Sequence, residues 1–147
     1  MNITIRKCMI SDAARIRELS KAALGFDYPE NKFEESIRRL MGNRSNKIFI
    51  AESGNKVLGY AHACDFDILY GPPLKILRAI AVDEKYRRYG VATKLMEEVE
   101  KWARDSGAEG VRIYGGSERL ASIAFYKAIG YKFVKPESKF EKNFPVK

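Results

Sequence analysis

The stretch Ile80-Ala81-Val82-Asp83-Glu84-Lys85-Tyr86-Arg87-Arg88-Tyr89-Gly90-Val91-Ala92-Thr93 passes from an apolar strand, through a basic loop and a glycine, into the start of an amphipathic helix. That order gathers unpartnered backbone N–H groups and the positive end of a helix dipole at one point. Such a point binds phosphate, and Arg87 and Arg88 add positive charge beside it. Gly90 and Ala92 are small where a backbone would approach an anion closely. The two common phosphate loops, G-x-x-x-x-G-K-S/T and G-x-G-x-x-G, occur nowhere in the chain. The bland alternative is an ordinary strand-to-helix connection with a basic surface.

Around this stretch, 147 residues fit one domain, 1–147, with a substantial core. A hydrophobic fraction of 46% and a charged fraction of 31% fit a soluble globular protein. No apolar run reaches the ~20 residues of a membrane span, and the N-terminus lacks a signal-peptide pattern, so a cytoplasmic protein with no membrane partner is expected. Cys8 and Cys64 do not stand at metal-ligand spacing, and reduced thiols fit that compartment. The net charge of +8 suits a polyanionic or phosphorylated ligand, but the basic residues are scattered rather than gathered in an arm. With no aromatic or basic recognition surface, no nucleic-acid partner is expected.

In chain order, Ile3 to Arg6 alternates as a strand. Ser11 is the expected N-cap of a helix carrying Ile16, Leu19 and Ala23, which Gly25 ends. Asn31 and Glu34 resemble a capping box for a second helix carrying Phe33, Ile37, Leu40 and Met41. Phe26 and Tyr28, between the helices, either staple the loop to the core or wall a cleft. Lys47 to Ala51 and Val57 to Ala61 read as an antiparallel pair about the Ser53–Lys56 turn, followed by His62, Cys64, Asp65 and Asp67. Those four could suggest a metal, but a lone histidine among mixed neighbours reads as a sheet residue, so no metal is expected. Leu74 to Val82 is a long strand. A helix from Val91 to Gly107, a strand Val111 to Tyr114, a helix capped by Ser117 and two closing strands, Tyr131 to Val134 and Lys139 to Phe144, complete the chain. The order β-α-α-β-β-β-α-β-α-β-β specifies a mixed α/β domain, a mostly antiparallel sheet flanked by helices.

Two segments carry a family resemblance. Arg87-Arg88-Tyr89-Gly90-Val91-Ala92 matches the pattern R/Q-x-x-G-x-G/A, and about 35 residues later Ala124-Phe125-Tyr126-Lys127-Ala128-Ile129-Gly130-Tyr131 matches A-L/F-Y-x-x-x-G-F/Y. Together they resemble the pyrophosphate-binding motif and the second recurrent signature of the GNAT superfamily of N-acetyltransferases, and the element order is similar over nearly the whole chain.

The resemblance implies acetyl-CoA as co-substrate. Ile80, Ala81 and Val82 would pair with its pantetheine arm, and Arg87, Arg88, Tyr89, Gly90, Val91, Ala92 and Thr93 would hold the pyrophosphate. Arg119, where the family often has asparagine, and Ser122 would face the cofactor. A neutral primary amine would attack the thioester directly, with the Val82 N–H meeting the oxyanion and Tyr126 as general acid for the departing thiolate; otherwise Tyr126 is a core aromatic. Many relatives carry a glutamate near the end of the central strand. Arg78 and Ala79 stand there instead, which leaves Glu118, Asp65, Asp67, His62 or bulk water to take the proton.

Tyr28, Asp65, Asp67 and Tyr70 would form an aromatic and acidic wall suited to a small cationic amine or a protein amine. Dimers are common in the superfamily, so a homodimer is compatible, although no segment demands one. The competing reading is a non-catalytic acyl-CoA-binding sensor on the same fold, motivated by the missing strand carboxylate.

Overall fold

The computed structural model describes residues 1–114 and 120–146. They fall into two compact units, Met1–Tyr114 and Gly115–Lys147. The first is a five-stranded sheet in the order β1-β2-β3-β4-β5. Its strands are β1 (Thr4–Lys7), β2 (Asn46–Ser53), β3 (Lys56–Phe66), β4 (Leu74–Val82) and β5 (Val111–Ile113). The pairs from β1 to β4 are antiparallel; β5 joins β4 in parallel.

Helices α1 (Ala13–Leu24) and α2 (Glu30–Met41) pack on one face of the sheet and α3 (Val91–Asp105) on the other. Period-two alternation along β2 sorts the core: Ile48 and Ile50 join Ile16, Leu19 and Ile37 of α1 and α2, while Phe49 meets Trp102 of α3 edge-on. On α3, Val91, Leu95, Met96, Val99 and Ala103 are buried at helical spacing. Truncating a residue such as Leu95 to alanine costs about 2–5 kcal/mol. Tyr60 is buried beneath α1. Its hydroxyl donates to Ser20 Oγ at 2.6 Å, because the Ser20 proton is committed to Ile16 O at 2.8 Å.

Local starts differ from the sequence expectation. Ser11 does not cap α1. A single 3-10 turn, Ile10–Asp12, precedes the helix, and Asp12 is the buried anchor. Its carboxylate accepts both Arg6 guanidinium nitrogens and the Met9 N–H, each at 2.8 Å. The Asn31–Glu34 box does not form: α2 begins at Glu30, two residues earlier than a cap at Asn31 would start it, behind Pro29, whose fixed φ suits a helix entrance. Strand β3 runs to Phe66, so His62, Cys64 and Asp65 lie within the sheet rather than beyond it. Gly25 ends α1 at φ +77°, as expected.

The second unit contains α4 (Leu120–Ala128), closed by Gly130 at φ +99°. Tyr131 to Val134 and Lys139 to Phe144 form no strands. Alternation makes a strand only where a neighbouring edge supplies hydrogen bonds. Here Pro136 and Pro145 lack donors, Phe133, Phe140 and Phe144 are exposed, and the ion pairs Lys135–Glu137 and Lys139–Glu141 are local. Ser117, Glu118 and Arg119 lie outside the described residues. Among the described residues no helix is long and apolar enough to cross a membrane.

Candidate active site

The site begins where two strands part. β4 stays paired with β3 up to Val82 opposite Gly59, but its parallel pairing with β5 stops at Leu77 opposite Ile113. From Arg78 to Val82 the other edge of β4 has no strand partner among the described residues. Successive peptide groups of a strand point to opposite edges. The Asp83 N–H bonds Leu58 O on β3 at 2.8 Å, so the N–H and C=O groups of Val82 and Ile80 face the open edge. Gly59 permits the close β3–β4 approach behind it, since a Cβ there would lie 2.7 Å from Ala81 O.

The open edge leads into the basic turn. Asp83 caps a short 3-10 turn, Glu84–Tyr86, accepting the Lys85 N–H at 2.9 Å. Arg88 then has φ +57° and Gly90 φ +79°, both left-handed, which reverses the chain into α3. Gly90 has open space around its Cβ position, so its conformation rather than crowding within the protein requires glycine. No side chain caps α3, and the Lys94 N–H, bonded to Gly90 O at 3.0 Å, begins its ladder. The first-turn N–H groups of Val91, Ala92 and Thr93 therefore point out of the helix end. Arg87, Arg88 and Tyr89 are exposed around them.

A strut holds this turn. Arg15 of α1 donates from Nε and Nη2 to Val57 O, at 3.1 and 2.9 Å, and from Nη2 to Asp83 Oδ2 at 2.6 Å; its Nη1 meets Glu18. The Arg15 hydrogen bond, helped by the Lys85 N–H, holds the Asp83 carboxyl below its ordinary pKa. Asp83 alone could be suspected from sequence, because Asp accepting an N–H two residues on is a common turn device. Arg15, 68 positions away, gives no such signal.

The expected acceptor wall separates into parts. Tyr28 is half-exposed, its carbonyl held by Arg17 Nε at 2.9 Å. Tyr70 is exposed on the loop after β3, and Asp67 is exposed at its start. Asp65 is engaged elsewhere: it pairs with the buried Lys75, whose Nζ lies 4.1 Å from the Trp102 ring centroid on the α3 side. His62 Nε2 is 2.8 Å from Asn46 Oδ1. Burial, with the Arg78 charge, lowers its pKa to about 4, so it is neutral at pH 7 and a weak base. Cys8 is inert, since burial pushes its thiol up to about 12. No group of three or more potential metal ligands occurs among the described residues.

Tyr126 lies on α4 with its carbonyl accepting the Tyr131 N–H at 2.9 Å and its ring 6.1 Å from that of Tyr131. Ser122, on the same helix, is partly exposed.

The unpaired edge of β4 thus runs directly into an uncapped, basic helix start. Residues 13–131 match the model of the acetyltransferase (GNAT) family, and the chain belongs to that family. It is 32% identical over 96 residues to human N-acetyltransferase 8, covering 63% of this chain and 41% of the relative. It is 29% identical over 139 residues to an N-alpha-acetyltransferase of Sulfurisphaera tokodaii, covering 89% of this chain and 81% of the relative. The chain thus spans less than half of the human relative, and 60% of an uncharacterized N-acetyltransferase of Methanocaldococcus jannaschii to which it is 28% identical. The fold matches that of AAC(6')-Iy in complex with a CoA-linked bisubstrate analogue, with TM-score 0.87, 20% identity and coverage of 97% and 99% of the two chains.

Proposed function

We propose that this chain, read as one domain over 1–147, is an acetyl-CoA-dependent N-acetyltransferase acting on a primary amine of a small molecule or a protein. The observation that carries the reading is the continuity of the open β4 edge with the basic turn. The edge offers the peptide groups of Ile80 and Val82, flanking Ala81, to an extended arm bearing amides, as an added strand would be received. The turn from Arg87 to Thr93 offers N–H groups, a dipole and two arginines to the pyrophosphate at the arm's end. Arg119 and Ser122 are assigned to the cofactor by motif position alone.

The bound thioester supplies an activated acetyl group. The amine nitrogen bonds to the acetyl carbon as the carbon–sulfur bond breaks. The Val82 N–H stabilises the carbonyl oxygen. Tyr126, assigned by the A-F-Y motif, protonates the departing sulfur and is recharged from solvent, and the amine releases its proton to water. Tyr28, Asp67 and Tyr70 line the acceptor approach in this reading; Asp65, bound to Lys75, acts on that wall only through the pair.

The experiment is thiol release from acetyl-CoA across a panel of primary amines. Amine-dependent release supports the enzyme. One observation favours the second reading, an acyl-CoA sensor: Arg78 and Ala79 place no carboxylate towards the end of β4. Acetyl-CoA binding without release on any amine would decide for the sensor.

A further inference from the structure

The β3–β4 ladder slips by one residue at the site. His62 pairs with Ala79, but its neighbour Ala63 pairs with Leu77. Arg78 is therefore the extra residue of a β-bulge, a feature that re-aims side chains beside active sites. Its Nε donates to Cys64 Sγ at 3.4 Å. Cys64 shares its strand face with His62 and Tyr60, the face that carries α1 and α2. The bulge thus turns a guanidinium onto the helix-pair face, one residue beyond the last β4–β5 pair, at the mouth of the open edge.

Arg78 is exposed, and the partner of its Nε is a thiol, a weak acceptor that leaves the planar fork of donors largely unused. No described carboxylate forms an ion pair with it, unlike Arg6, Arg15, Arg17 and Arg38. The nearby acid, Asp65, is held by Lys75, and the nearby imidazole of His62 is neutral. An uncompensated guanidinium at this point repels a polycation and offers a bidentate seat to a carboxylate.

We infer that Arg78 selects amine acceptors that also carry a carboxylate, as amino acids and compounds shaped like them do, over polycationic amines. This rests on the transferase reading above and narrows its acceptor. The transferred group is still acetyl and the bonds made and broken are unchanged; Arg78 binds the acceptor's carboxylate while its amine reacts.

The test compares free amino acids with their amides, which keep the amine and lose the carboxylate charge. For the native chain kcat/KM is expected to favour the acids by about tenfold. In Arg78→Gln that acid-to-amide ratio falls to near one, and Arg78→Lys, which keeps the charge without the fork, retains part of it. The same contrast is read without turnover by calorimetry, using N-acetylamino acids and their amides on the CoA-loaded chain. That arm separates two failures. A chain that binds CoA and the acetylated acids but releases no thiol overturns the transferase reading and leaves the Arg78 contrast standing. Equal binding of acid and amide, a preference for amides or polyamines, or an unchanged ratio in Arg78→Gln overturns the assignment of Arg78. Matching melting temperatures of Arg78→Gln and the native chain exclude misfolding as the cause.

Discussion

The turn after β4 and the side chains proposed for the acceptor are built by opposite means. The turn is made of consecutive backbone. Asp83 caps, Arg88 and Gly90 take left-handed φ, and α3 starts without a side-chain cap. The proposed acceptor residues are side chains of distant segments, with Tyr28 and Tyr70 exposed on loops and Arg78 raised on a bulge. A backbone site fixes which common chemical group is held and tolerates side-chain change. A side-chain site sets which acceptor is chosen and changes with single substitutions. One fold can thereby keep its co-substrate and vary its acceptor.

Substitutions break that comparison in graded steps. The largest effect belongs to neither region. Tyr126→Phe is expected to lower kcat by about 10²–10⁴-fold while calorimetric acetyl-CoA affinity holds; unchanged turnover would remove the general-acid role. In the turn, Gly90→Val forces a β-branched residue into positive φ, and about 1–2 kcal/mol of strain should weaken acetyl-CoA binding roughly tenfold. If acceptor KM moved instead, the division between turn and wall would be wrong. Asp83→Asn loosens the Arg15 strut and should raise the KM for acetyl-CoA about threefold with little change in kcat. The smallest effect is expected of Tyr28→Ala, a few-fold rise in acceptor KM with acetyl-CoA KM unmoved.

Acid should weaken the fold in two steps. The His62 pKa is lowered by burial to about 4, from an ordinary 6.5. The unfolded chain therefore takes up that proton first, and stability falls as pH drops from about 6.5 towards 4. Asp12 follows. Burial alone would raise its carboxyl, but the hydrogen bonds from Arg6 and the Met9 N–H, with the Arg6 charge, outweigh it and hold the pKa low. Its contribution is complete above the unfolded value and drains as pH falls below about 4. Chemical denaturation across pH reads both steps, and Asp12→Asn should flatten the second.

What the sequence makes legible follows the same division. The β4–α3 stretch can be read because its signals are consecutive: an apolar run, two arginines, a glycine, a helical period. The sheet and helices up to α4 follow from periodicity, and Gly25 and Gly130 stop helices where expected. Helix starts are less legible. Ser11 has the chemistry of a cap, but a 3-10 turn leads into α1 instead, anchored by the Asp12 carboxylate on the Met9 N–H and on Arg6 of another element. The closing segment alternates like a strand, yet nothing in a sequence shows whether an edge will pair with it. The Arg78 bulge is likewise invisible, since it is a property of two strands in register, and Asp65 looks available until Lys75 is seen beside it.

The most direct measurement of the central claim, that the β4 edge and the turn together hold acetyl-CoA, is a calorimetric titration of the native chain with acetyl-CoA and with acetyl-pantetheine, which lacks the pyrophosphate and nucleotide. The expected result is saturable binding of acetyl-CoA and a loss of at least about tenfold in affinity for acetyl-pantetheine. Equal affinities, or no binding of acetyl-CoA, would contradict it.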